Sequence, residues 1–188
     1  DIKGPGKAVG PYFDETPLKD SLGATLQELQ LDGDVNARLH LDIPLNGELV
    51  TAKGEVTLRN NSLFIKPLDS TLKNLSGKFS FINGDLQSEP LTASWFNQPL
   101  NVDFSTKEGA KAYQVAVNLN GNWQPAKTGV LPEAVNEALS GSVAWDGKVG
   151  IDLPYHAGAT YNVELNGDLK NVSSHLPSPL AKPAGEPL

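Results

Sequence analysis

Cysteine and methionine are both missing from this chain of 188 residues. The lack of cysteine excludes disulfide bonds, thiolate metal ligands and a cysteine nucleophile, although it indicates no particular compartment. The lack of methionine extends to the first position, which is Asp1. We therefore expect this sequence to be an excised or processed piece of a longer chain.

Long apolar runs and concentrated positive charge are also lacking. No run approaches the roughly 20 apolar residues of a membrane-spanning helix, and no signal-peptide pattern opens the chain. We expect any membrane anchor or export signal to lie outside this sequence. The net charge is −7 with Lys and Arg scattered singly, which argues against nucleic acid as a partner.

Residue patterns that carry catalysis are not found in the sequence. The three histidines, His40, His156 and His175, have no partners at metal-ligand spacing. The sequence contains no nucleophile elbow, no phosphate-binding glycine loop and no zinc-protease motif. We therefore expect no enzymatic activity, no cofactor and no metal site.

Alternation of apolar and polar residues is the dominant pattern. Because successive side chains of a strand point to opposite faces, each alternating run predicts a strand with one apolar face. Asn-Gly-type dipeptides at 60–61, 83–84, 146–147 and 166–167 predict tight hairpin turns. The sequence thus predicts an all-β fold, an extended antiparallel meander. The alternating runs lie at 39–43, 50–58, 77–81, 91–95, 100–104, 113–119, 143–145, 149–153 and 161–165.

Three regions are predicted along the chain. An irregular segment over 1–17 precedes the antiparallel sheet, which we place at 18–170, and a Pro-rich loop or linker follows at 171–188. Within the sheet region, Pro132 and the following residues predict one short helix around 132–139. Residues 18–29 fit either a helix or the lead-in to a strand.

A repeat is visible inside the sheet region. Its copies begin GEVTL at 54–58, GKFSF at 77–81 and GSVAW at 141–145. In each copy a proline follows the glycine after 13 residues, at positions 67, 90 and 154. We interpret each copy as a hairpin with the glycine on its apolar face and the proline ending its second strand. A fold built in this way grows by adding strands.

The many apolar strand faces need a cover that one short helix cannot supply. A second packed sheet, a sheet closed on itself, and a curled open sheet holding an apolar ligand would each provide one. Trp95 and Trp145 fall on the alternating apolar face, whereas Trp123 lies in a turn-like stretch and is the best candidate for an exposed contact. The turn aromatics leave open a carbohydrate-binding or purely structural β-sandwich module. The evenly aliphatic lining and the repeat favour the curled groove.

The residues of the repeat resemble a known family. GEVTLRNNSLFIKPL (54–68) and LKNLSGKFSFINGDLQSEPLTASWFNQPLNVDFS (72–105) are similar to the AsmA-like proteins of Gram-negative envelopes. The resemblance covers about 34–170 and is strongest to a large, bridge-like member. It implies a repeating β-groove that conducts phospholipids between inner and outer membranes, in the periplasm, as part of an inner-membrane-anchored protein.

The same resemblance implies the partners and the site. The partners are phospholipid acyl chains, the adjoining segments of the same longer chain, and the two membranes through parts outside this sequence. Each acyl CH₂ kept from water is worth about 0.8 kcal/mol, so a continuous apolar floor lowers the barrier to crossing an aqueous gap. We expect the groove lining to be Val56, Leu58, Phe79, Phe81, Trp95, Val102, Phe104, Val115, Val117, Val143, Val163 and Leu165.

Overall fold

The computed structural model describes residues 2–6, 29–46 and 50–186 of the chain. These residues are mostly β-strand, as the sequence predicts. Two 3₁₀ turns (Lys66–Leu68 and Pro125–Lys127) and one helix, α1 (Glu133–Ala138), also lie there. The strands are β1 (Ile2–Pro5), β2 (Leu29–Asp32), β3 (Asp34–Asp42), β4 (Thr51–Ile65), β5 (Ser70–Ile82), β6 (Asp85–Ser88), β7 (Leu91–Trp95), β8 (Gln98–Glu108), β9 (Ala112–Trp123), β10 (Leu139–Gly141), β11 (Val143–Pro154), β12 (Thr160–Asp168) and β13 (Val172–Ser174).

Eleven of these strands form one antiparallel sheet in the order β1-β3-β4-β5-β6-β8-β9-β11-β12. β2 pairs with β4, and β7 pairs with both β5 and β8. The two edges, β1 and β12, do not pair with each other in the described ranges, so the curled sheet is open. The predicted meander and groove-like curl are confirmed. The only other sheet among these residues is the small pair β10 and β13, so the β-sandwich alternative is wrong.

Irregularities in consecutive strands lie along one line across the sheet. Gly33, with φ 94°, separates β2 from β3, and Asn60 and Asn74, with φ 54° and 55°, lie within the two register shifts between β4 and β5. Pro90 lies in the break between β6 and β7. Each irregularity of this kind bends its strand. Because they are aligned, they bend the whole sheet across β2 to β7, and we call this line the bend.

A buried asparagine stabilises the bend. Asn61 is only 1% exposed, and its Nδ2 donates to the carbonyl oxygens of Asp32 and Asp34, each at 3.1 Å. Its Oδ1 accepts a 2.8 Å hydrogen bond from the backbone N–H of Arg59. These are the main-chain groups on either side of Gly33 and next to the β4 bulge. One side chain therefore satisfies polar groups that the interrupted ladder leaves free.

The bend gives the sheet its own cover. The buried apolar cluster draws residues from strand segments on both sides of the bend, and the described residues contain no second sheet of comparable size. Burying an aliphatic side chain of this size contributes about 1.5–3 kcal/mol. The buried cluster comprises Val35, Leu58, Leu72, Leu75, Leu91, Ala93, Leu100 and Val102.

Side chains replace part of the backbone ladder between β6 and β8. These strands share a single register pair, Gln87 with Ser105. Three backbone amides instead donate to side-chain oxygens across the seam: Leu86 to Thr106 Oγ1 at 2.8 Å, Phe104 to Ser88 Oγ at 2.7 Å and Glu108 to Asp85 Oδ1 at 2.7 Å. The β6–β8 seam is thus closed by serine, threonine and aspartate rather than by regular strand pairing.

Tyr113 lies beside this seam and is fully buried. Its hydroxyl oxygen is 2.7 Å from both the carbonyl oxygen of Gly84 and the hydroxyl oxygen of Thr106. Burial raises the pKa of Tyr113 to about 12. The phenol therefore stays neutral and hydrogen-bonded where β9 packs beneath the β5–β6 turn.

Both terminal regions contain strands that the sequence does not predict. Ile2–Pro5, inside the segment expected to be irregular, forms edge strand β1 against β3. In the Pro-rich tail, β13 pairs with β10, and Lys182 Nζ donates to the carbonyl oxygens of Leu169 and Val172 at 2.9 and 2.8 Å. Short strands of this kind are held by backbone pairing and need no alternating pattern. Most of 1–17 and 18–28 lies outside the described residues.

The predicted short helix is confirmed as α1, with Pro132 at its N-cap position. Leu139 already belongs to β10, so the helix is slightly shorter than expected. It packs against β10 and the 3₁₀ turn at Pro125–Lys127. In the part of the chain that the structure describes, no helix is long and apolar enough to cross a membrane.

Only one of the four predicted tight turns is a turn. Asn83, with φ 52°, begins the β5–β6 hairpin. The dipeptides at 60–61, 146–147 and 166–167 lie inside β4, β11 and β12, so those predictions are wrong. Pairing with neighbouring strands overrides local turn chemistry here. Asn166 even uses its side chain across the strands, donating to Asp146 Oδ2 at 3.1 Å.

The hairpin interpretation of the repeat is wrong for two of its three copies. The copy at 77–90 contains the β5–β6 hairpin, but residues 54–65 lie within the single strand β4. Residues 143–154 likewise form the single strand β11. The shared proline does mark strand ends: Pro67 follows β4, Pro90 precedes β7 and Pro154 is the last residue of β11. The missing N–H of proline explains that position.

We expect Tyr113→Phe to lower the free energy of unfolding by about 1–3 kcal/mol, because it removes a buried hydrogen-bonded hydroxyl. Since the folded-state pKa of Tyr113 lies near 12 and the unfolded value is near 10.0, the native chain should also lose stability as pH rises between them. The variant should lose less over this interval. Urea unfolding at pH 8 and at higher pH, followed by tryptophan fluorescence, measures both effects. An identical alkaline loss in the two chains would contradict this assignment.

Candidate functional site

The apolar residues of the large sheet share one face across all of its main strands. Paired residues of neighbouring strands lie on the same face, so the register defines rows that run perpendicular to the strands. We call this side the inner face, because the buried cluster lies on it. One such row consists of Ala37, Val56, Phe79, Ser88, Phe104, Val117, Val149 and Val163.

All twelve residues expected from the sequence to line a groove fall on this inner face. Leu58, Val102 and Val115 are buried there, whereas seven others are half-buried. Val163 and Leu165 of β12 are exposed at 66% and 70%. The register brings all of these side chains to one side, although no single cavity encloses them. The half-buried seven are Val56, Phe79, Phe81, Trp95, Phe104, Val117 and Val143.

The inner face stays accessible towards both edges of the sheet. At one edge Leu39, Leu41 and Ile43 are 40%, 50% and 60% exposed. At the other edge Tyr161 is 55% exposed, beside Val163 in the same strand. The residues of β3 and its end lie far from Gly33, where the bend meets that strand, and β12 is not crossed by the bend. Contiguous exposed apolar side chains of this kind mark interaction surfaces.

Sequence reasoning misses several inner-face residues. Val149 and Ile151 pair with Val117 and Val115 and continue their rows, and Leu41 pairs with Ala52. Each of them stands in an alternating run, so the same period-2 signal identifies them once the parity of the strand is known.

The outer face is polar and is held by hydrogen bonds between strands. Lys78 Nζ lies 3.0 Å from Glu55 Oε1, and the other bonds are neutral or charge-assisted amide contacts. His40 belongs to this face, as expected, since it pairs with Lys53. The amide contacts run from Asn118 to Asp103 at 2.8 Å, from Asn101 to Asn120 at 3.1 Å and from Gln114 to Asp152 at 2.8 Å. The two faces therefore differ sharply in polarity.

The polar residues on the inner face are occupied by backbone groups. Ser88 and Thr106 are 7% and 9% exposed and lie on the inner face at the β6–β8 seam. Their oxygens accept the amide hydrogen bonds that close that seam. Between the strands of the seam, the small Ser88 also lets the rings of Phe79 and Phe104 approach to 5.6 Å. These hydroxyls thus leave the face apolar.

An aromatic cluster closes one end of the inner face. Trp123 packs edge-on against Trp95 and Trp145, with ring centroids 6.3 and 4.6 Å apart. Gly121 makes room for them, because a Cβ there would lie 3.0 Å or less from two indole nitrogens. The expectation that Trp123 is an exposed contact is wrong: it is half-buried and its N–H donates to the Pro99 carbonyl at 2.7 Å. The exposed aromatic of this cluster is Phe96, at 37%.

No group that could hold a metal ion, with three or more His, Cys, Asp or Glu side chains, is found in the described residues. The inner face itself offers no charged side chain in its central rows. Its chemistry is the removal of apolar surface from water, which is non-directional and scales with contact area. Such a face suits a flexible apolar ligand or another apolar surface.

Comparison with known proteins agrees with this picture. The family described as YhdP protein matches residues 1–188. The chain is 99% identical over 188 residues to the "Intermembrane phospholipid transporter YhdP" of Escherichia coli (strain K12). The match covers 100% of this chain but only 15% of that relative. No solved structure matches the chain. The resemblance to the large AsmA-like member is confirmed, and the chain belongs to the YhdP family.

Proposed function

We propose that this chain is a segment of a protein that conducts phospholipids between inner and outer membranes along a hydrophobic β-groove. The observation that carries the proposal is the inner face, which is continuous in register from β3 to β12 and reaches both edges of an open sheet. The name of the 99% identical E. coli relative, an intermembrane phospholipid transporter, supports the same interpretation. In this proposal the nine accessible residues of the twelve predicted from the sequence contact acyl chains, and the buried Leu58, Val102 and Val115 support them from below.

The physical basis is the cost of exposing acyl chains to water. Each CH₂ transferred from water to an apolar surface gains about 0.8 kcal/mol. The half-exposed inner face offers that surface without enclosing the ligand, so a lipid headgroup can remain in solvent. Rows that repeat from strand to strand give a lipid similar contacts at successive positions. Similar contacts imply a shallow free-energy profile, and therefore movement rather than tight storage.

Adjoining segments of the same longer chain are the proposed partners at the sheet edges. The 99% identical relative is much longer, since this chain covers 15% of it. Among the described residues, β12 pairs only with β11. Its other side is therefore free to pair with a further strand. A strand added there extends every row of the inner face without a change of polarity.

The proposed location follows from the proposed path. A conduit between two membranes lies in the aqueous space between them, so we place this segment in the periplasm of a Gram-negative envelope. The inner-membrane anchor and the contact with the outer membrane would belong to other parts of the protein. The proposed work is passive binding and sliding, and we propose no enzymatic step and no cofactor.

Photo-crosslinking at neighbouring positions of one strand tests the lipid path. A photoreactive benzoylphenylalanine at Val163 or Leu41 projects from the inner face, whereas one at Asn162 or His40 projects from the outer face. In the full-length E. coli relative expressed in cells, we expect lipid adducts at the two inner-face positions and at neither outer-face position. Mass spectrometry of the irradiated protein identifies them. Equal capture on both faces, or no lipid on either, would contradict the proposal.

A charge placed on the exposed part of the inner face should obstruct passage. We expect Val163→Asp, in the same full-length protein, to fold normally because Val163 is 66% exposed. An aspartate among acyl chains costs about 2.5–3.5 kcal/mol, which corresponds to roughly hundredfold slower passage. Transfer of labelled phospholipid between membranes measures the rate.

Asn162→Asp is the matched control, since it adds the same carboxylate to the outer face one residue away. We expect its transfer rate to equal that of the unmodified protein. If both variants slowed transfer equally, or if Val163→Asp had no effect, the inner face would not be the path.

A further inference from the structure

A polar cleft lies at one end of the sheet, where β5 and β7 stop pairing. Their last register pair on this side is Lys73 with Ser94. Beyond it the start of β5 stays with β4, while Trp95 turns with Gln98 into the β7–β8 hairpin. The resulting opening has a volume of about 450 Å³. Small-molecule sites typically measure about 300–1,000 Å³, so the cleft is large enough for one.

The cleft is separated from the inner face by one indole ring. Trp95 lies on the inner face, and its Nε1 donates to Ser70 Oγ at 2.7 Å across the opening. Thr71 and Lys73, which also line the cleft, have the opposite strand parity to the inner-face residue Leu72. The cleft therefore opens to water at the sheet end and is not a continuation of the apolar rows.

Four residues that line the cleft have a left-handed backbone. Six non-glycine residues in the described ranges have positive φ, and those at the cleft are Asp69 (44°), Asn74 (55°), Phe96 (48°) and Asn97 (60°). Asparagine and aspartate tolerate this conformation, but a bulky phenylalanine adopts it rarely and at a cost. Such strain concentrates at ligand sites when the surrounding structure holds it. At this hairpin it places the ring of Phe96 at the cleft.

Phe96 presents one ring face outward. Its other face stacks on Trp95, with centroids 4.8 Å apart and planes at 23°, and Trp123 meets it edge-on. The exposed fraction of Phe96 is 37%. The face of an aromatic ring is electron-rich and attracts the C–H groups of a ligand that packs flat against it.

Polar side chains with no partner in the described part of the chain line the same cleft as this ring. They supply a carboxylate (Asp69), a hydroxyl (Thr71), an ammonium (Lys73) and an amide (Asn97). Carboxylate and amide oxygens accept from hydroxyls, while the amide N–H₂ and the ammonium donate to them. A sugar ring combines an apolar C–H face with a rim of such hydroxyls.

We propose that the cleft between β5 and the β7–β8 hairpin binds a carbohydrate, with a hexose ring stacked on Phe96 and its hydroxyls bonded to Asp69 and Asn97. Lys73 favours a sugar that carries an acidic substituent. This site goes beyond the proposed lipid path and does not depend on it. The turn aromatics of the sequence point to the same chemistry, although Phe96 rather than Trp123 carries it.

The indole N–H of Trp95 reports on the cleft, because it is hydrogen-bonded to a residue that lines it. In ¹H–¹⁵N spectra of the 188-residue chain, we expect glucose and glucuronic acid to shift this signal and to leave that of Trp145 unchanged. Glucuronic acid should act at lower concentration than glucose. Inorganic phosphate should shift neither signal.

Paired variants assign the binding to these side chains. We expect Phe96→Asn to abolish the sugar-dependent shift while the chain stays folded, because asparagine suits the left-handed turn. Phe96→Leu also removes the ring but keeps the backbone strain at position 96. It replaces Phe96→Asn in this test if that variant does not fold. Lys73→Met should raise the dissociation constant for glucuronic acid to that for glucose. Lys78→Met, on the same strand but paired with Glu55, should change neither.

Three results would overturn the proposal. The first is the absence of any shift of the Trp95 signal with both sugars. The second is an equal shift with inorganic phosphate, because the cleft would then be an anion site. The third is sugar binding that persists in the Phe96 variants.

Discussion

The bend held by Asn61 is the constraint on which the rest of the structure depends. A single sheet with one apolar face has nothing to bury that face against unless it folds over on itself. The bend, which runs from Gly33 through Asn60 and Asn74 to Pro90, curves the sheet, and the buried cluster lies beneath it. Because the bend meets β3 only at its Gly33 end and does not cross β12, the far end of β3 and the strand β12 keep part of their apolar side chains in solvent. The exposed rows at Leu39 and Val163 are therefore a consequence of where the bend lies.

Strict strand parity keeps the two faces distinct from one edge of the sheet to the other. Outer-face pairs such as Asn118 with Asp103 satisfy polar groups between strands, while inner-face residues such as Val117 and Val149 meet on the opposite side. The polarity of each face is therefore the same in every main strand. A sheet of this type can be lengthened by further strands with no change in its chemistry, which distinguishes it from a core of fixed size.

Alternation in the sequence was enough to predict the main strands of the large sheet and to place all twelve inner-face residues on one side, since period 2 depends on the pleat alone. It was not enough to place the turns. Asn60 adopts the positive φ that its dipeptide predicts, yet within β4 this conformation forms a bulge rather than a hairpin. The choice depends on pairing with residues far along the chain. The polar cleft could not be predicted for the same reason, because Asp69 and Phe96 are distant in sequence. The pairing of β5 with β7 places both residues at one end of the sheet, and the separation of these strands beyond Lys73 and Ser94 opens the cleft.

The β6–β8 seam shows how the sheet tolerates polar residues on its apolar side. Ser88 and Thr106 lie in the middle of the inner face, where free hydroxyls would bind a passing polar group and interrupt a uniform surface. Both are instead committed to backbone amides that lack ladder partners, and Tyr113 adds its hydroxyl to the same network. A buried polar group that is fully hydrogen-bonded offers little to a ligand. The side chains that repair the backbone at the seam are thus the same ones that leave the face apolar, and one set of hydrogen bonds meets both requirements.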